Sequence, residues 1–253
     1  MTGAAKIMAH MVAFYPDRDT SLQAGLALIE GGAAYLEIQF PFTDPTADGP
    51  LIQNACQTAL AGGFTVDGGF SLAEELAGKA PVFIMTYGNL AFTCGIDRFT
   101  ARARDAGVRG LIIPDLCPPQ DEGLFEAGHR CGIAVVPVAA PAMSAERIRY
   151  LKDLKPEFIY AALRKGVTGK ETDTAEALGF IEKLKGTDSK ILAEFGIKTR
   201  EQVTALGGSV HALVVGSLFV ETIARALRNP ESSVSLDLRK KMTYLCRGSE
   251  KEV

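Results

Sequence analysis

The stretch Ala34-Tyr-Leu-Glu-Ile-Gln-Phe40, followed by Pro41-Phe-Thr-Asp-Pro-Thr-Ala-Asp-Gly-Pro50, is the most informative part of the sequence for both fold and chemistry. Its first part is a short apolar run, which predicts a β-strand, and its second part is a proline-rich loop. Because side chains alternate along a strand, the leucine, isoleucine and phenylalanine share one face, while Glu37 and Gln39 share the other. The pattern predicts a strand that packs its apolar face on helices and carries a carboxylate on the opposite face.

Similar apolar runs recur along the whole chain and alternate with amphipathic stretches that are typical of helices. The eight candidate strands are residues 8–14, 34–40, 82–87, 110–114, 134–138, 158–161, 190–194 and 212–215. Such alternation is typical of βαβ units around a parallel sheet. Eight units predict an α/β fold of the (β/α)8 TIM-barrel type, and an open doubly wound sheet is the structural alternative.

Local signals mark where the helices should begin and end. Glycines that can take the left-handed conformation precede several predicted strands, at Gly31, Gly107, Gly132 and Gly207. Capping-box spacing marks three helix starts, at Thr20 with Gln23, Asp173 with Glu176, and Thr199 with Gln202. The stretch 232–246 predicts an extra C-terminal helix.

Length and composition restrict the class of protein. The chain of 253 residues matches one barrel domain spanning residues 1–253, because such barrels need about 250 residues. A net charge of −3 without a long basic block argues against nucleic acid and membrane partners and predicts a small-molecule ligand. Five scattered cysteines predict reduced thiols, and three dispersed histidines predict no metal site. Since no apolar run suits a signal peptide or a membrane span, we expect a cytoplasmic protein.

The catalytic residues of such barrels lie at the carboxyl ends of the strands, which selects few polar side chains. Glu37 should point into the barrel near its mouth, where a buried carboxylate needs a partner or a function. The segment 41–65 is far longer than the usual connection of about 2 to 6 residues, and its Asp48 can reach a ligand. Asp44 precedes a proline and more simply sets a turn. The sequence therefore predicts general acid/base chemistry by Glu37 and Asp48.

Two glycines stand where late strands turn into helices, in Phe195-Gly196-Ile197 and in Gly216-Ser217. Backbone N–H groups at a helix N-terminus attract anions, and a glycine allows a phosphate to approach them closely. The same two loops form the common phosphate site of these barrels. The pattern predicts a phosphate group on the ligand.

At these residues the sequence resembles the tryptophan synthase alpha subunit family over nearly its whole length. The resemblance rests on residues 36–50, Ile52-Gln-Asn-Ala55, Gly166-Val-Thr-Gly169, Phe195-Gly196-Ile197 and Val215-Gly-Ser217. It implies a carbon–carbon lyase of tryptophan biosynthesis that cleaves indole-3-glycerol phosphate to indole and glyceraldehyde 3-phosphate. It also implies that this chain holds no cofactor, and that pyridoxal phosphate belongs to a beta-subunit partner in an alpha2beta2 complex.

The resemblance also implies roles for individual residues. Glu37 would protonate indole C3 and assist the retro-aldol step, while Asp48 would stabilise charge on the indole nitrogen. A mobile loop at residues 163–172 would close over the substrate. The substrate-binding positions that the resemblance implies are Tyr160, Thr168, Gly169, Phe195, Gly196, Ile197, Gly216 and Ser217, with Tyr87 as either an aromatic pocket residue or a core residue.

Three residues near the barrel mouth depart from the family pattern. His10 stands where the family usually has an aromatic residue, and Gln39 and Glu194 stand where it has glycine. This added polarity leaves two other functions open, a barrel that acts on another sugar phosphate and a low-activity regulatory alpha subunit. The amide of Gln39 can meet Glu37 or the ligand. If it donates a hydrogen bond to ionised Glu37, it lowers the pKa of that carboxyl and opposes proton donation. Its volume would also intrude where a planar ring must lie, and an apolar ring would leave the buried amide unpaired. We therefore expect Gln39→Gly to raise indole-3-glycerol phosphate cleavage.

Overall fold

The structure is a computed structural model that describes residues 5–163 and 174–247. The strands are β1 (Ile7–Val12), β2 (Tyr35–Gln39), β3 (Val82–Met85), β4 (Gly110–Ile112), β5 (Ala134–Val135), β6 (Val138–Ala139), β7 (Phe158–Ala162), β8 (Lys190–Glu194) and β9 (Ala212–Val215). The helices are α1 (Arg18–Glu30), α2 (Pro50–Ala61), α3 (Val66–Ala77), α4 (Gly88–Cys94), α5 (Ile96–Asp105), α6 (Leu124–Cys131), α7 (Ala145–Asp153), α8 (Thr174–Leu184), α9 (Arg200–Leu206), α10 (Ser217–Leu227) and α11 (Val234–Arg247). Within these residues, no helix combines the length and the apolar character needed to cross a membrane.

The parallel strands form one sheet that closes on itself. The strand order is β5-β4-β3-β2-β1-β9-β8-β7-β6, so the two ends of the sheet are β5 and β6. Only Val136 and Pro137 separate those two strands. The Val136 N–H donates to Leu111 O on β4 at 2.9 Å, and the Pro137 carbonyl accepts from Tyr160 N on β7 at 3.0 Å. The two residues therefore bridge the ends of the sheet. Proline has no N–H to donate, which explains the break. All eight predicted strands are present, the fifth in two parts, and the predicted barrel is confirmed.

The two faces of β2 pack as the alternation predicts. Leu36, Ile38 and Phe40 are fully buried in the layer between the sheet and the helices. Tyr35 packs instead on the core inside the barrel, against Phe83. Burying both faces of a parallel strand explains why most of the strands lack alternation of apolar and polar residues.

Of the four predicted helix-ending glycines, two are confirmed and two are not. Gly107 and Gly132 have φ angles of +71° and +70°, in the left-handed region where glycine avoids a steric penalty. Gly207 has a φ of −62°, so the prediction for it is wrong. A Cβ atom there would lie 2.1 Å from the Cβ of Ala5, so this glycine is needed for close packing.

The predicted C-terminal helix is confirmed as α11, which packs against α1, α9 and α10 through Leu238 and Met242. This contact corrects the interpretation of Gly31, because its φ is −70° and it is not left-handed. A Cβ atom at Gly31 would lie 2.6 Å from the Cβ of Met242. The glycine therefore lets α11 approach α1.

The N-terminal signals have mixed outcomes. Thr199 and Gln202 form a complete capping box at the start of α9, as predicted. The prediction that α1 starts at Thr20 is wrong, since Asp17 caps this helix and its carboxylate accepts from the Thr20 N–H at 2.8 Å. Both residues are good caps, and the spacing alone did not separate them. The predicted cap Asp173 lies outside the described residues.

The amino end of the barrel is closed by aromatic and charged side chains. The Tyr35 hydroxyl and His211 Nε2 are 2.8 Å apart, and the rings of Phe83 and Phe158 meet edge to face with centroids 5.2 Å apart. At the same end, Glu157 accepts hydrogen bonds from both Arg109 and Lys190. The guanidinium of Arg109 and the ammonium of Lys190 lie 5.4 and 5.1 Å from the centre of the Phe158 ring. Polar groups at this end are thus paired with one another.

Candidate active site

Glu37 and His10 form a buried pair at the carboxyl end of the barrel. His10 on β1 and Glu37 on β2 are register partners in the parallel sheet, which places both side chains on the inner face. His10 Nδ1 and Glu37 Oε1 are 3.0 Å apart, and the two residues are only 5% and 2% exposed. The inward orientation predicted for Glu37 is confirmed, and the partner is a residue that the sequence marked only as a departure.

Asp48 is held in place by Gln39 on β2 and by Tyr87, which directly precedes α4. Its Oδ2 atom accepts hydrogen bonds from Gln39 Nε2 at 2.7 Å and from the Tyr87 hydroxyl at 2.8 Å. The Tyr87 oxygen also accepts from the Ala47 N–H at 3.0 Å, and Gln53 Nε2 donates to the Asp48 carbonyl at 2.8 Å. These bonds fix a loop that begins with a turn at Asp44–Asp48.

Gln39 therefore does not meet Glu37, and the part of the predicted Gln39→Gly effect that rests on a hydrogen bond to Glu37 is wrong. The amide nitrogen of Gln39 is committed to Asp48. Tyr87, which the sequence left between a pocket role and a core role, also bonds to Asp48 through its hydroxyl. Its ring stacks on Phe42 with centroids 5.6 Å apart. The loop after β2 folds back over the strand ends, and sequence spacing alone does not show that return.

A cavity of about 90 Å³ lies between these groups. Its polar lining includes His10, Glu37, Asp48 and Glu194, and Tyr160 also lines it as predicted. Its remaining walls are formed mainly by apolar residues that sequence reasoning missed, which are Ile52, Met85, Ile112, Val138 and Val214. The cavity thus combines an apolar wall with several ionisable groups, which is typical of a small-molecule site.

Three buried polar atoms have no hydrogen-bond partner among the described residues. They are His10 Nε2, Glu37 Oε2 and Gln39 Oε1. Leaving a buried polar atom unpaired costs about 1 to 3 kcal/mol, so native structures contain few of them. Two of the three belong to the residue pair that lines the cavity. This placement points to a ligand that would complete their hydrogen bonds.

The electrostatics of the cavity favour a protonated His10. Burial by itself would lower the pKa of His10, but the charge and the hydrogen bond of Glu37 oppose it, and the net pKa is raised. Burial raises the pKa of Asp48, although His10, Tyr87 and Gln39 partly offset that effect. Burial next to Asp48 also raises the pKa of the Cys56 thiol to about 12, which leaves this residue a neutral thiol. His10 and the two carboxyls form one coupled group at the mouth of the barrel.

The glycines predicted to bind phosphate occupy strand-to-helix turns, and Gly216 also makes room for a neighbouring side chain. Gly196 follows β8 with a φ of +71°, and Gly216 precedes Ser217 at the start of α10. A Cβ atom at Gly216 would lie 3.2 Å from Cδ2 of the His10 ring, so this glycine makes room for the histidine. Phe195 is 6% exposed and packs in the outer core.

Of the remaining predicted substrate-binding positions, the structure describes Ile197 but not Thr168 or Gly169. Ile197 is buried in the same outer core as Phe195, behind the turn and away from the cavity lining. Thr168 and Gly169, with the rest of the predicted closing loop, lie outside the described residues. In the part of the chain that is described, no group of three or more histidine, cysteine, aspartate or glutamate side chains could hold a metal ion.

Comparison with known proteins places the chain in one family. The family model for the tryptophan synthase alpha chain matches residues 2–246. The tryptophan synthase alpha chain of Helicobacter hepaticus is 39% identical over 229 residues, covering 87% of this chain and 86% of its own length. That of Methanoregula boonei is 32% identical, covering 98% and 95%.

Solved structures agree with these relatives. A mutant tryptophan synthase alpha-subunit of Pyrococcus furiosus superposes with a TM-score of 0.86 at 30% identity, covering 97% of this chain and 99% of that one. Tryptophan synthase of Mycobacterium tuberculosis gives a TM-score of 0.87 at 28% identity, covering 96% and 91%. The chain therefore belongs to the tryptophan synthase alpha chain family, a family of lyases of tryptophan biosynthesis.

Proposed function

We propose that this chain cleaves indole-3-glycerol phosphate to indole and glyceraldehyde 3-phosphate by a retro-aldol reaction. The observation that carries the proposal is that Glu37 and Asp48, from different elements, line one buried cavity in a chain of this family. Breaking the carbon–carbon bond needs a proton delivered to the ring carbon and a proton removed from the side-chain hydroxyl. A carboxyl group with a buried oxygen that has no partner suits such proton transfer.

Asp48 has a separate role in this proposal. When the ring carbon is protonated, positive charge develops on the indole nitrogen, and a nearby carboxylate stabilises it. The two hydrogen bonds from Gln39 and Tyr87 to the same oxygen orient Asp48 and leave its other oxygen for the ligand. A carboxylate that is already fixed in position loses little conformational freedom when the substrate binds.

The phosphate group of the substrate is proposed to bind at the turns that follow β8 and β9. Gly216 and Ser217 begin α10, an 11-residue helix whose N-terminal N–H groups and dipole favour an anion. Gly196 adopts a positive φ in the neighbouring turn. Thr168 and Gly169 complete this proposal as members of a closing loop, and Phe195 and Ile197 support the turn from the core behind it.

We further propose a beta-subunit partner, which would hold the pyridoxal phosphate, while this chain acts without a cofactor as one domain in a cytoplasmic alpha2beta2 complex. Phe92 supports this proposal, because its side chain is 62% exposed on α4, which begins directly after Tyr87 at the mouth of the barrel. Of the large apolar side chains that the structure describes, Phe92 is the most exposed, and a buried aromatic anchor is typical of protein interfaces.

A second candidate function is cleavage of another sugar phosphate. The observation that favours it is the charged wall formed by His10, Glu37 and Glu194, because an indole ring has one N–H group and otherwise apolar edges. A more polar leaving group would match this wall better. The competing substrate class is a polyol phosphate without an aromatic ring.

One assay separates the two functions. The purified chain is incubated with indole-3-glycerol phosphate, and indole release is followed with and without the beta subunit of the same organism. Release that disappears in Glu37→Gln supports the first function. If the natural chain releases no indole in either condition, the first function is wrong.

The proposed beta-subunit partner has its own test, with a control at another exposed apolar side chain. Phe92→Ser should weaken beta-subunit binding in calorimetry at least tenfold, since a buried aromatic anchor of an interface typically contributes about 2 kcal/mol or more. Leu227 is 48% exposed at the far end of α10, so Leu227→Ser should leave binding unchanged. Equal affinity of the Phe92→Ser variant and the natural chain would contradict this docking surface.

A further inference from the structure

The histidine–glutamate pair differs from a structural ion pair in its unused atoms. Each member uses one polar atom for the other, at 3.0 Å, and keeps a second buried polar atom, His10 Nε2 or Glu37 Oε2, without a partner among the described residues. A pair that served only the fold would gain stability by satisfying those atoms. Both residues line the same cavity.

The protonation of the pair supplies a donor and an acceptor at the same time. Glu37 holds a proton on His10 Nδ1, and the charges that reach the imidazole from other elements, those of Asp48 in the loop and Glu194 on β8, also favour the imidazolium. The imidazolium then has an N–H on Nε2 to donate, while Glu37 Oε2 has a lone pair to accept.

We propose that His10 is a third catalytic residue, the acid that protonates the ring carbon from Nε2, while Glu37 is the base that accepts the hydroxyl proton at Oε2. The proposal rests on the proposed cleavage of indole-3-glycerol phosphate. A lone carboxyl group would have to be protonated for the first transfer and ionised for the second. Two adjacent groups divide the two transfers, because His10 Nε2 can donate one proton and Glu37 Oε2 can accept the other.

The proton and electron balance closes within the site. A proton moves from His10 Nε2 to indole C3, forming a C–H bond and leaving a positive charge on the ring nitrogen, which Asp48 stabilises. The side-chain hydroxyl then gives its proton to Glu37 Oε2, its C–O bond becomes a carbonyl, and the C3–carbon bond breaks. The electron pair of that bond restores the aromatic ring and neutralises the nitrogen. After the products leave, the proton on Glu37 returns to His10 Nε2 through solvent, which resets the pair.

The test compares substitutions at two histidines by the pH dependence of indole release. His10→Gln should lower kcat by about 10² to 10⁴, the usual contribution of a general acid, while KM changes only slightly. It should also abolish the limb of the profile that falls as the imidazolium loses its proton. His211→Gln removes the other histidine that bonds to a β2 residue, at the opposite end of the barrel, and should leave the profile unchanged.

His10→Phe separates a chemical role from a structural one, because a phenyl ring fills the site without carrying a proton. Low kcat in this variant, with circular dichroism and thermal unfolding close to those of the natural chain, supports the acid role. Full turnover, or an intact alkaline limb in either His10 variant, overturns it.

The natural chain provides a test that does not depend on folded variants. The imidazole of His10, followed by NMR, should lose its proton at the same pH at which the alkaline limb falls, and a mismatch overturns the proposal. If the natural chain releases no indole at all, the proposed function fails and the acid role fails with it. Cleavage that does not depend on His10 overturns only the acid role.

Discussion

The two ends of the barrel each place a histidine against a side chain of β2, but they differ in what they leave unsatisfied. At the amino end, Tyr35 and His211 bond to each other and Glu157 accepts from two cations. At the carboxyl end, His10 and Glu37 also bond to each other, yet each keeps a buried polar atom without a partner among the described residues. The amino end uses its polar groups to close the barrel, whereas the carboxyl end holds them ready for a ligand.

This difference follows the general division of labour in such barrels, in which residues at the carboxyl ends of the strands carry chemistry and residues at the other end carry stability. An unpaired buried atom costs about 1 to 3 kcal/mol, so the carboxyl end lowers the stability of the fold. Functional sites are where proteins retain such local conflicts. Substitutions at the two ends should therefore separate activity from stability.

The largest expected effect comes from replacing one glutamate at each end of the barrel with neutral glutamine. Glu37→Gln should reduce turnover by about 10² to 10⁴, because the amide keeps the volume but cannot act as a base. Glu157→Gln should leave turnover unchanged and reduce stability by at most about 1 kcal/mol, as for other exposed ion pairs. Indole release and urea unfolding of both variants measure this. Equal turnover in the two variants would show that the comparison is wrong.

A smaller effect is expected from Gln39→Gly, and its direction reverses the expectation from sequence. The structure shows that Gln39 donates to Asp48, which lowers the pKa of that carboxyl. Without this donor the pKa of Asp48 should rise further, so the acidic limb of the pH profile should move to higher pH. Cleavage near neutral pH should fall by roughly tenfold, about the worth of one hydrogen bond to a charged group.

Tyr87→Phe is the matched control for Gln39→Gly, since it removes the other donor to the same oxygen while preserving the ring. It should move the acidic limb in the same direction. Faster cleavage in Gln39→Gly would instead restore the sequence-based expectation that this amide obstructs the substrate.

Tyr35→Phe tests the amino end alone. The change removes the hydrogen bond to His211 and keeps the ring contacts with Phe83 and Phe158. The free energy of unfolding should fall by about 0.5 to 1.5 kcal/mol, and kcat should not change. Denaturant unfolding and the indole assay on the same preparation check both statements, and a fall in kcat without unfolding would link the two ends.

The smallest expected effect is an opposite pH dependence of stability at the two histidines. Against the effect of burial, Glu37 raises the pKa of His10, so its contribution is complete below the unfolded-state pKa of about 6.5 and is lost as pH rises through the folded-state value. Burial, with Lys6 and Lys190, lowers the pKa of His211, so its contribution is complete above about 6.5 and is lost as pH falls through the folded-state value.

Thermal unfolding of His10→Gln and His211→Gln across the neutral pH range measures these contributions. The stability that the natural chain gains over the first variant should shrink as pH rises. The gain over the second variant should shrink as pH falls. Parallel pH dependences would contradict the assignment of the two shifts.

Sequence reasoning predicted the barrel and the position of Glu37 because both depend on local periodicity. It did not predict that Glu37 pairs with His10, since that contact depends on the register between β1 and β2. It considered Glu37 and the ligand as partners of the Gln39 amide, whereas the loop after β2 brings Asp48 back over the strand end. Spacing along a strand predicts distances within that strand, but it does not predict which residues of a following loop fold back to contact it.

The glycines also show that local sequence signals do not predict nonlocal contacts. Gly132 was correctly predicted as a helix end, because its backbone conformation is a local property. Gly31 and Gly207 carry the same residue type for a nonlocal reason, the close approach of Met242 and of Ala5. Both kinds of position give the same letter in the sequence, and only the packing distinguishes them.

The contact between Gly216 and His10 constrains how the two positions can vary together. The hypothetical Cβ lies 3.2 to 3.4 Å from three atoms of His10, so a side chain larger than alanine at 216 requires the imidazole to move. In evolutionary terms, glycine at 216 is permissive, because it leaves the space that the imidazole at position 10 occupies. While histidine occupies position 10, a side chain at position 216 would crowd the imidazole. The two positions should therefore vary together, even though they lie 206 positions apart in the sequence.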